Sequence, residues 1–501
     1  MCMKKRALLI MILLFAGGLA GRKAAVPNWG LQAENDSFNC FTIVAGKDAT
    51  ADGSLLLAHN EDDRGRLRVN VYKVAAQEHG KSDIVTLKNG ATLPQVKNTP
   101  AMLWLEIPEN DFADGYVNEF GVAITSNSCP SREDKPELVK GGIGFMLRRL
   151  VAERAQTARD GVRIAGELIS QFGYNASGRT YIIADAKEGW FMHVVMGKHW
   201  IARRVPDNEV AVIANCYTIG PVDLNDHNNI LASPDIIEYA NQRGWYDPEK
   251  DGAFDFARAY SDPNNLIDMR HVLRLWRGTN LLAAKSHKLE ERFPFSFKPR
   301  HAIRLNDLFR VLRDHYEGTA YDLSDRYKNG SPNSGKNRTI CTESTQYAFV
   351  AQLRDWLPAE IAHAVWICFR RPDSNAFSPW YVAGGRFPDG YGPDTAADAL
   401  KKHFSPLPAQ ALEDPNLAFN TYARLSEMVD RQYATRIEKT QKLWRNHEDF
   451  LFKDVEDHEK EFVYLLKTNK AVAQKIIDNY SQSLEYQKWF LALELLREFR
   501  N

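Results

Sequence analysis

The residue best placed to do chemistry in this chain is Cys40, which opens the run Cys40-Phe41-Thr42-Ile43-Val44-Ala45-Gly46. A cysteine is a strong nucleophile only as its thiolate, so it needs a base or a cationic neighbour. If the peptide bond before Cys40 were cut, a thiol and a free α-amine would share one residue. That amine titrates at roughly 7.7–8.0, close enough to neutral pH to take the thiol proton directly or through one water. It can then return the proton to a leaving nitrogen. An amide nitrogen cannot act as this base, so the chemistry depends on scission between Asn39 and Cys40.

The segment before Cys40 suits that requirement. Lys4, Lys5 and Arg6 are followed by an apolar run from Ala7 to Leu19 and the small-residue site Gly18-Leu19-Ala20. This is the pattern of a secretory signal peptide over 1–20. The run is short for a membrane span, which takes roughly 20 residues. Cys2 precedes it, unlike a lipid-attachment cysteine. Residues 21–39 are polar and unpatterned and read as a propeptide. An exported product, periplasmic or extracellular, with no stable membrane anchor is the expectation.

With 501 residues and 44% hydrophobic content, the chain can build a large core in one or two domains. Lys+Arg and Asp+Glu are both 64, and that balance gives no support to nucleic-acid binding. The cysteines at 2, 40, 129, 216, 341 and 368 are too scattered for a disulfide scaffold. Once Cys2 leaves with the leader an odd number remains, so at least one is unpaired in a monomer. The later four read as buried free thiols, with one disulfide left open. None belongs to a CxxC pair or a short ligand series for zinc or an iron–sulfur cluster. HisGluXXHis and GlyXSerXGly are both absent, so neither a metal nor another cofactor is expected.

Strand-like runs surround Cys40 and continue to about residue 220. After Cys40 the sequence reads as a buried strand, a tight turn at Asp52-Gly53 and a second strand, Leu55-Leu56-Leu57-Ala58. Further strands are expected at 69–74, 101–106, 121–124, 180–184, 189–195, 210–214 and 364–369. One amphipathic helical stretch, 143–170, interrupts them, with a break expected at Asp160-Gly161. Residues 255–320 are more helical, and from about 411 long amphipathic helices take over without a strict heptad. The pattern is α+β, with sheets covered by helices.

The block from Cys40 to Asp62, ending His59-Asn60-Glu61-Asp62, resembles the mature N-terminus of peptidase family C69 dipeptidases. These are relatives of penicillin V acylase and choloylglycine hydrolase in the N-terminal-nucleophile superfamily. Further blocks agree: Tyr116 to Ile124, Leu150 to Ala155, Asp314-His315-Tyr316-Glu317-Gly318-Thr319, Glu343 to Gln346, Gln352-Leu353-Arg354 and Leu357-Pro358. The resemblance covers roughly 40–400. It implies a four-layer αββα sandwich of two antiparallel sheets as the catalytic domain over 40–400, with a helical extension over 401–501.

The resemblance also implies roles. Cys40 is the nucleophile, and Asp62 is the carboxylate that orients its α-amine. Asn215, at the end of Val210–Ala214, is the amide donor to an oxyanion, with Asn127 as a second candidate whose alternative is a structural role. Arg338 completes the polar site. His59 stands where the superfamily often has arginine, and a shorter, neutral side chain there points to substrate choice instead. The expected substrate is a dipeptide or small peptide. An amidase or acylase acting on N-acyl amides, and an inactive binding protein on the same fold, are the alternatives. A homo-oligomer is left open.

Overall fold

The structure is a computed structural model that describes residues 40–63, 67–334, 338–407 and 413–500. The expected signal peptide and propeptide lie outside the described residues.

Strand Leu55–Asp62 shows why the chain stacks in layers. Successive side chains point to opposite faces. Leu55 and Leu57 enter one hydrophobic core and Leu56 and Ala58 another. A strand apolar on both sides must be covered on both sides. It lies centrally in a six-stranded antiparallel sheet of order 210–213, 41–45, 55–62, 345–353, 363–369, 378–381. An eight-stranded antiparallel sheet packs against it, in the order 230–232, 200–204, 189–197, 174–184, 123–128, 115–118, 102–106, 70–74.

Val44, Leu57, Phe349 and Ala351 from the first sheet meet Ala123, Ile182, Ala184 and Phe191 from the second. Helices Met146–Arg154 and Ala158–Phe172 cover the outer face of the larger sheet. Helices Met269–Leu282 and Leu305–Leu312 cover that of the smaller one. Two sheets between helical layers are the αββα arrangement expected, with the helical extension following it.

Two local expectations change. The connection after the first strand is not a tight turn. Pairing ends at Ala45 opposite Leu56, and the intervening loop contains a 3-10 turn at Lys47–Ala49. Asp52 Oδ1 closes its far end by accepting from Ser54 N at 3.1 Å and Ser54 Oγ at 2.6 Å. The helical stretch 143–170 breaks at Ala155–Thr157 rather than at Asp160-Gly161. Thr157 caps the second helix by accepting from Asp160 N, while Asp160 Oδ2 accepts from Gln156 N at 3.2 Å. Asp160 therefore starts a helix instead of ending one. Gly161 lies inside it, where a Cβ would press on Ile183 and Val151.

The C-terminal helices Ala418–Arg431, Tyr433–Thr468 and Lys470–Arg500 are part of the same core, contributing Phe419, Leu425, Trp444 and Leu495. Arg354 Nη2 and Tyr381 OH both donate to Glu459 Oε1, at 2.7 and 2.9 Å, tying the long middle helix to the smaller sheet. All five described cysteines are buried and free. No helix among the described residues is long and apolar enough to cross a membrane.

Candidate active site

Register decides what surrounds Cys40. Phe41 pairs with Asn60, so Cys40 falls opposite Glu61 at the open end of the central pair of strands. Alternation then splits the polar run His59-Asn60-Glu61-Asp62. His59 and Glu61 share the inter-sheet face with Thr42, whereas Asn60 and Asp62 face the helices. Asn60 Nδ2 donates to the carbonyls of Leu312 and Ile340, both at 2.9 Å, which fixes the end of this strand against that layer. All four side chains are buried.

The inter-sheet side carries a directional hydrogen-bond chain. Cys40 Sγ donates to Glu61 Oε1 at 3.1 Å, and Glu61 Oε2 lies 3.1 Å from His59 Nε2. His59 Nδ1 lies 2.7 Å from Thr42 Oγ1, which donates to Asn127 Oδ1 at 2.6 Å. Asn127 Nδ2 faces only carbonyls, those of Cys40 at 2.8 Å, Ala214 at 3.0 Å and Ile213 at 3.5 Å, so its amide orientation is fixed. The Thr42 proton is thus spent on Asn127, and His59 Nδ1 must carry a hydrogen. Burial holds the His59 pKa well below its ordinary value, with Arg148 and Arg179 adding to the effect. A neutral ring protonated on Nδ1 accepts at Nε2, so Glu61 must donate there. Burial pushes the Glu61 carboxyl up to about 8, against the opposing pull of Arg148, which keeps that proton in place at neutral pH.

The thiol itself is raised well above its ordinary pKa by burial and by the charges of Glu61 and Asp62. Its neighbour Glu61 has its own proton turned toward His59. Cys40 therefore has a full set of partners on this face but no free base at neutral pH.

The helix-facing side differs. Burial pushes the Asp62 carboxyl up to about 8, with Thr345, Arg274 and Thr342 pulling it back down. Neither of its oxygens makes a well-formed hydrogen bond among the described residues. Arg274, from helix Met269–Leu282, donates through Nη1 to Cys40 O at 3.2 Å and through Nη2 to Asn215 Oδ1 at 2.9 Å. His271 Nδ1 lies 2.9 Å from the same Nη2. The helix can come this close because Gly278 lies over Phe41, where a Cβ would collide with the ring.

Asn215 Nδ2 donates to Ser128 O at 2.9 Å, which leaves its second hydrogen for another acceptor. Asn127, by contrast, has its amide hydrogens on carbonyls within the chain and braces the two sheets. His59 has both ring nitrogens bonded inside the chain. Arg338 is half-buried; its charge bears on His271, and its carbonyl accepts from Tyr316 OH at 2.6 Å. Among the described residues the guanidinium bonded to Cys40 is that of Arg274. Sequence reading therefore collected Cys40, His59, Asp62, Asn127 and Asn215 but missed Glu61, Thr42 and Arg274. Glu61 had a signal, its place beside Asp62 in a strand of alternating faces; Arg274 had none. A groove of about 680 Å³ lined by Trp356, Trp366 and Phe452 contains none of these residues.

Glu61 makes stability fall with rising pH. Its carboxyl has an ordinary pKa of 4.5 and a folded value of about 8, so between these the folded chain binds more protons than the unfolded one. The stability contribution is complete below pH 4.5 and is lost as pH rises through about 8. Glu61→Gln keeps one acceptor for the thiol and one donor for His59 but cannot ionise. Urea unfolding from pH 5 to 8 should show the variant gaining on the parent by up to about 1.4 kcal/mol per pH unit. Parallel curves would contradict the assigned proton.

Residues 39–445 match the sequence model of Peptidase family C69. A probable dipeptidase of Salmonella dublin is 28% identical over 357 residues, covering 68% of this chain and 80% of that one. A dipeptidase of Bifidobacterium longum is 25% identical over 407 residues, covering 73% and 75%. Penicillin V acylase from Agrobacterium tumefaciens superposes with a TM-score of 0.32 at 12% identity, over 66% of this chain and 82% of that one. The matched span begins one residue before Cys40 and takes in every side chain of the hydrogen-bond chain, and on that match the protein belongs to peptidase family C69.

Proposed function

We propose that this hydrolase is an exported cysteine dipeptidase whose nucleophile, Cys40, becomes the first residue of the mature chain. The observation that carries the reading is Asp62: a carboxyl buried beside Cys40, flanked by Thr342, Thr345 and Arg274 but with neither oxygen closing a short hydrogen bond among the described residues. A buried carboxyl in that condition is costly, and a cation beside it relieves the cost. An α-ammonium on Cys40 is such a cation, and the free amine it leaves on losing a proton is the base the thiol lacks. The similarity to dipeptidases supports peptides as the substrate class.

In this reading the α-amine takes the Cys40 proton and the thiolate adds to the peptide carbonyl. The charge that develops on the carbonyl oxygen meets the second Nδ2 hydrogen of Asn215, whose amide is fixed by Ser128 O and Arg274. Asp62 orients the ammonium as it hands its proton to the leaving amine, and the C–N bond breaks. Water then cleaves the thioester, releasing the acid and restoring the thiol. Asn127, Thr42 and His59 hold Glu61 and the Cys40 carbonyl in place, and Arg338 supports Arg274 through His271.

Intact-mass analysis of the exported, active protein tests the requirement directly. The expected N-terminus is Cys40, with residues 1–39 absent. Full activity in a chain that still carries Asn39 would remove the base and with it the mechanism.

A further inference from the structure

A second buried cluster lies behind this site. His315 follows helix Leu305–Leu312, Cys341 precedes strand Thr345–Leu353, and Asp373 follows strand His363–Phe369. A ring nitrogen of His315, Cys341 Sγ and a carboxylate oxygen of Asp373 all lie within 4.8 Å of one another, and all three residues are buried. We infer that these three side chains form a binding site for a zinc-class divalent cation.

The imidazole supplies the first argument. Neither ring nitrogen of His315 makes a hydrogen bond among the described residues. Nδ1 stands 3.4 Å from Glu317 Oε1, and Nε2 stands 3.7 Å from Asp373 Oδ2. Glu317 and Asp373 thus face the two edges of the buried ring as charged partners, but neither closes a short hydrogen bond, which leaves the Nε2 edge open between Asp373 and Cys341. Ligands about 2.0–2.3 Å from a tetrahedral zinc are roughly 3.3–3.8 Å apart, so the Nε2–Oδ2 gap already has the length of a ligand edge. The thiol has to close by at most about 1 Å to complete the face.

The surroundings supply the second. Glu317 lies on the Nδ1 side, where it can take the ring N–H and aim Nε2 at the ion. Glu317 is itself held, accepting from His315 N at 2.7 Å and Tyr327 OH at 2.9 Å. Asp373 Oδ2 accepts from Tyr433 OH at 2.9 Å and Asn333 Nδ2 at 3.1 Å. Ligands braced in this way are what a metal site needs beyond its donors.

Donor type and charge supply the third. Nitrogen, sulfur and a single carboxylate suit zinc or its neighbours and not the oxygen-seeking calcium or magnesium. A thiolate and Asp373 together neutralise a dication; the nearby Arg371 reaches Asp373 Oδ1 at 3.4 Å but pairs more closely with Asp430, at 2.6 Å. The cluster of Cys40, His59 and Glu61 also brings sulfur, nitrogen and oxygen together, but its atoms are committed to the hydrogen-bond chain.

The ion would pin the loop that approaches the nucleophile. Cys341 N donates to Asp314 O at 3.1 Å, and Arg277, on the helix that carries Arg274, donates to the Asp314 carboxylate at 2.8 Å. Thr342 and Thr345, next along the chain, flank Asp62.

The test uses the full mature chain, stripped of metal by a chelator, with Zn2+ and Co2+ alone as probes and no substrate. One equivalent of Zn2+ is expected to bind, and Co2+ to give a thiolate charge-transfer absorption in the near ultraviolet. Cys341→Ser should abolish that absorption, and Cys40→Ser should leave it intact. Glu317→Gln, the milder variant should Cys341→Ser fail to fold, should weaken Zn2+ binding by about 10–100-fold. The inference is overturned if the parent protein takes up neither metal, if Glu317→Gln binds as tightly as the parent, or if the absorption survives Cys341→Ser. Loss of the absorption in Cys40→Ser alone would assign the metal to the nucleophile and overturn it equally.

Discussion

Cys40→Ser should lower kcat/KM for a dipeptide by about 10⁴-fold or more, with the fold unchanged. The side chain is fully buried and accepted by Glu61 Oε1, and a hydroxyl fills nearly the same space and can donate to the same oxygen. What changes is acidity. Burial and the charges of Glu61 and Asp62 hold the thiol above its ordinary pKa, and an ammonium formed on the same residue offsets both as the thiolate forms, whereas an alcohol is far weaker as an acid and stays protonated. The unfolding midpoint in urea should therefore stay close to that of the parent while turnover collapses. Because the serine variant could also fail to shed its leader, its N-terminus must be established before its rate is read. A variant that begins at residue 40 and keeps activity within tenfold would sink the nucleophile assignment. A variant inactive only because residues 1–39 remain would leave the comparison to be made on chain expressed from residue 40.

How much of this was legible beforehand divides along physical lines. The strands were visible because an apolar run such as Leu55-Leu56-Leu57-Ala58 needs no partner to be recognised. Its continuation through His59-Asn60-Glu61-Asp62 was not, since four polar residues read as a strand end. They stay in the strand because each finds a buried function: His59 and Glu61 in the chain to Thr42 and Asn127, Asn60 on two carbonyls, Asp62 beside Cys40. Glu61 could be proposed only once register set it opposite Cys40. Arg274 looks like an ordinary polar residue of an amphipathic helix, and its reach to Cys40 depends on how closely that helix lies over Phe41. His315, Cys341 and Asp373 come from three separate segments, so no short spacing announces them. The early break at Ala155–Thr157 was hidden because Gly161 is a stronger breaker on paper than Thr157, while the capping bonds of Thr157 and Asp160 decide the outcome. In each case local composition was readable and the pairing that gives it chemistry was not.

Lys488→Met should destabilise the whole protein by about 3–5 kcal/mol, a loss large enough to unfold a marginal variant. Lys488 and Glu485 lie one turn apart on the last helix, both fully buried, with Nζ 3.0 Å from Glu485 Oε2. Nζ also donates to Ile367 O at 3.1 Å and lies 5.1 Å from the centre of the Phe369 ring. Glu485 Oε1 in turn accepts from Ser378 Oγ. The pair thus holds the C-terminal helix against strands His363–Phe369 and Ser378–Tyr381 of the sheet that carries Cys40. Methionine matches the length of lysine but leaves the Glu485 charge buried without its counter-ion, and this stranded charge is the main cost. Replacing both, Lys488→Met with Glu485→Leu, removes the charge as well and should recover most of the loss, since well-packed apolar substitutes for a buried pair are often neutral. The midpoint and slope of urea unfolding for the two single variants and the double variant form the cycle that measures this. A loss below 1 kcal/mol for Lys488→Met, or a double variant no better than the single, would mean that the charges do not face each other in the interior. The expected result instead makes the helical tail a structural part of the sheet that carries Cys40, so that truncating it before Lys488 removes a wall of the core and not an appendage.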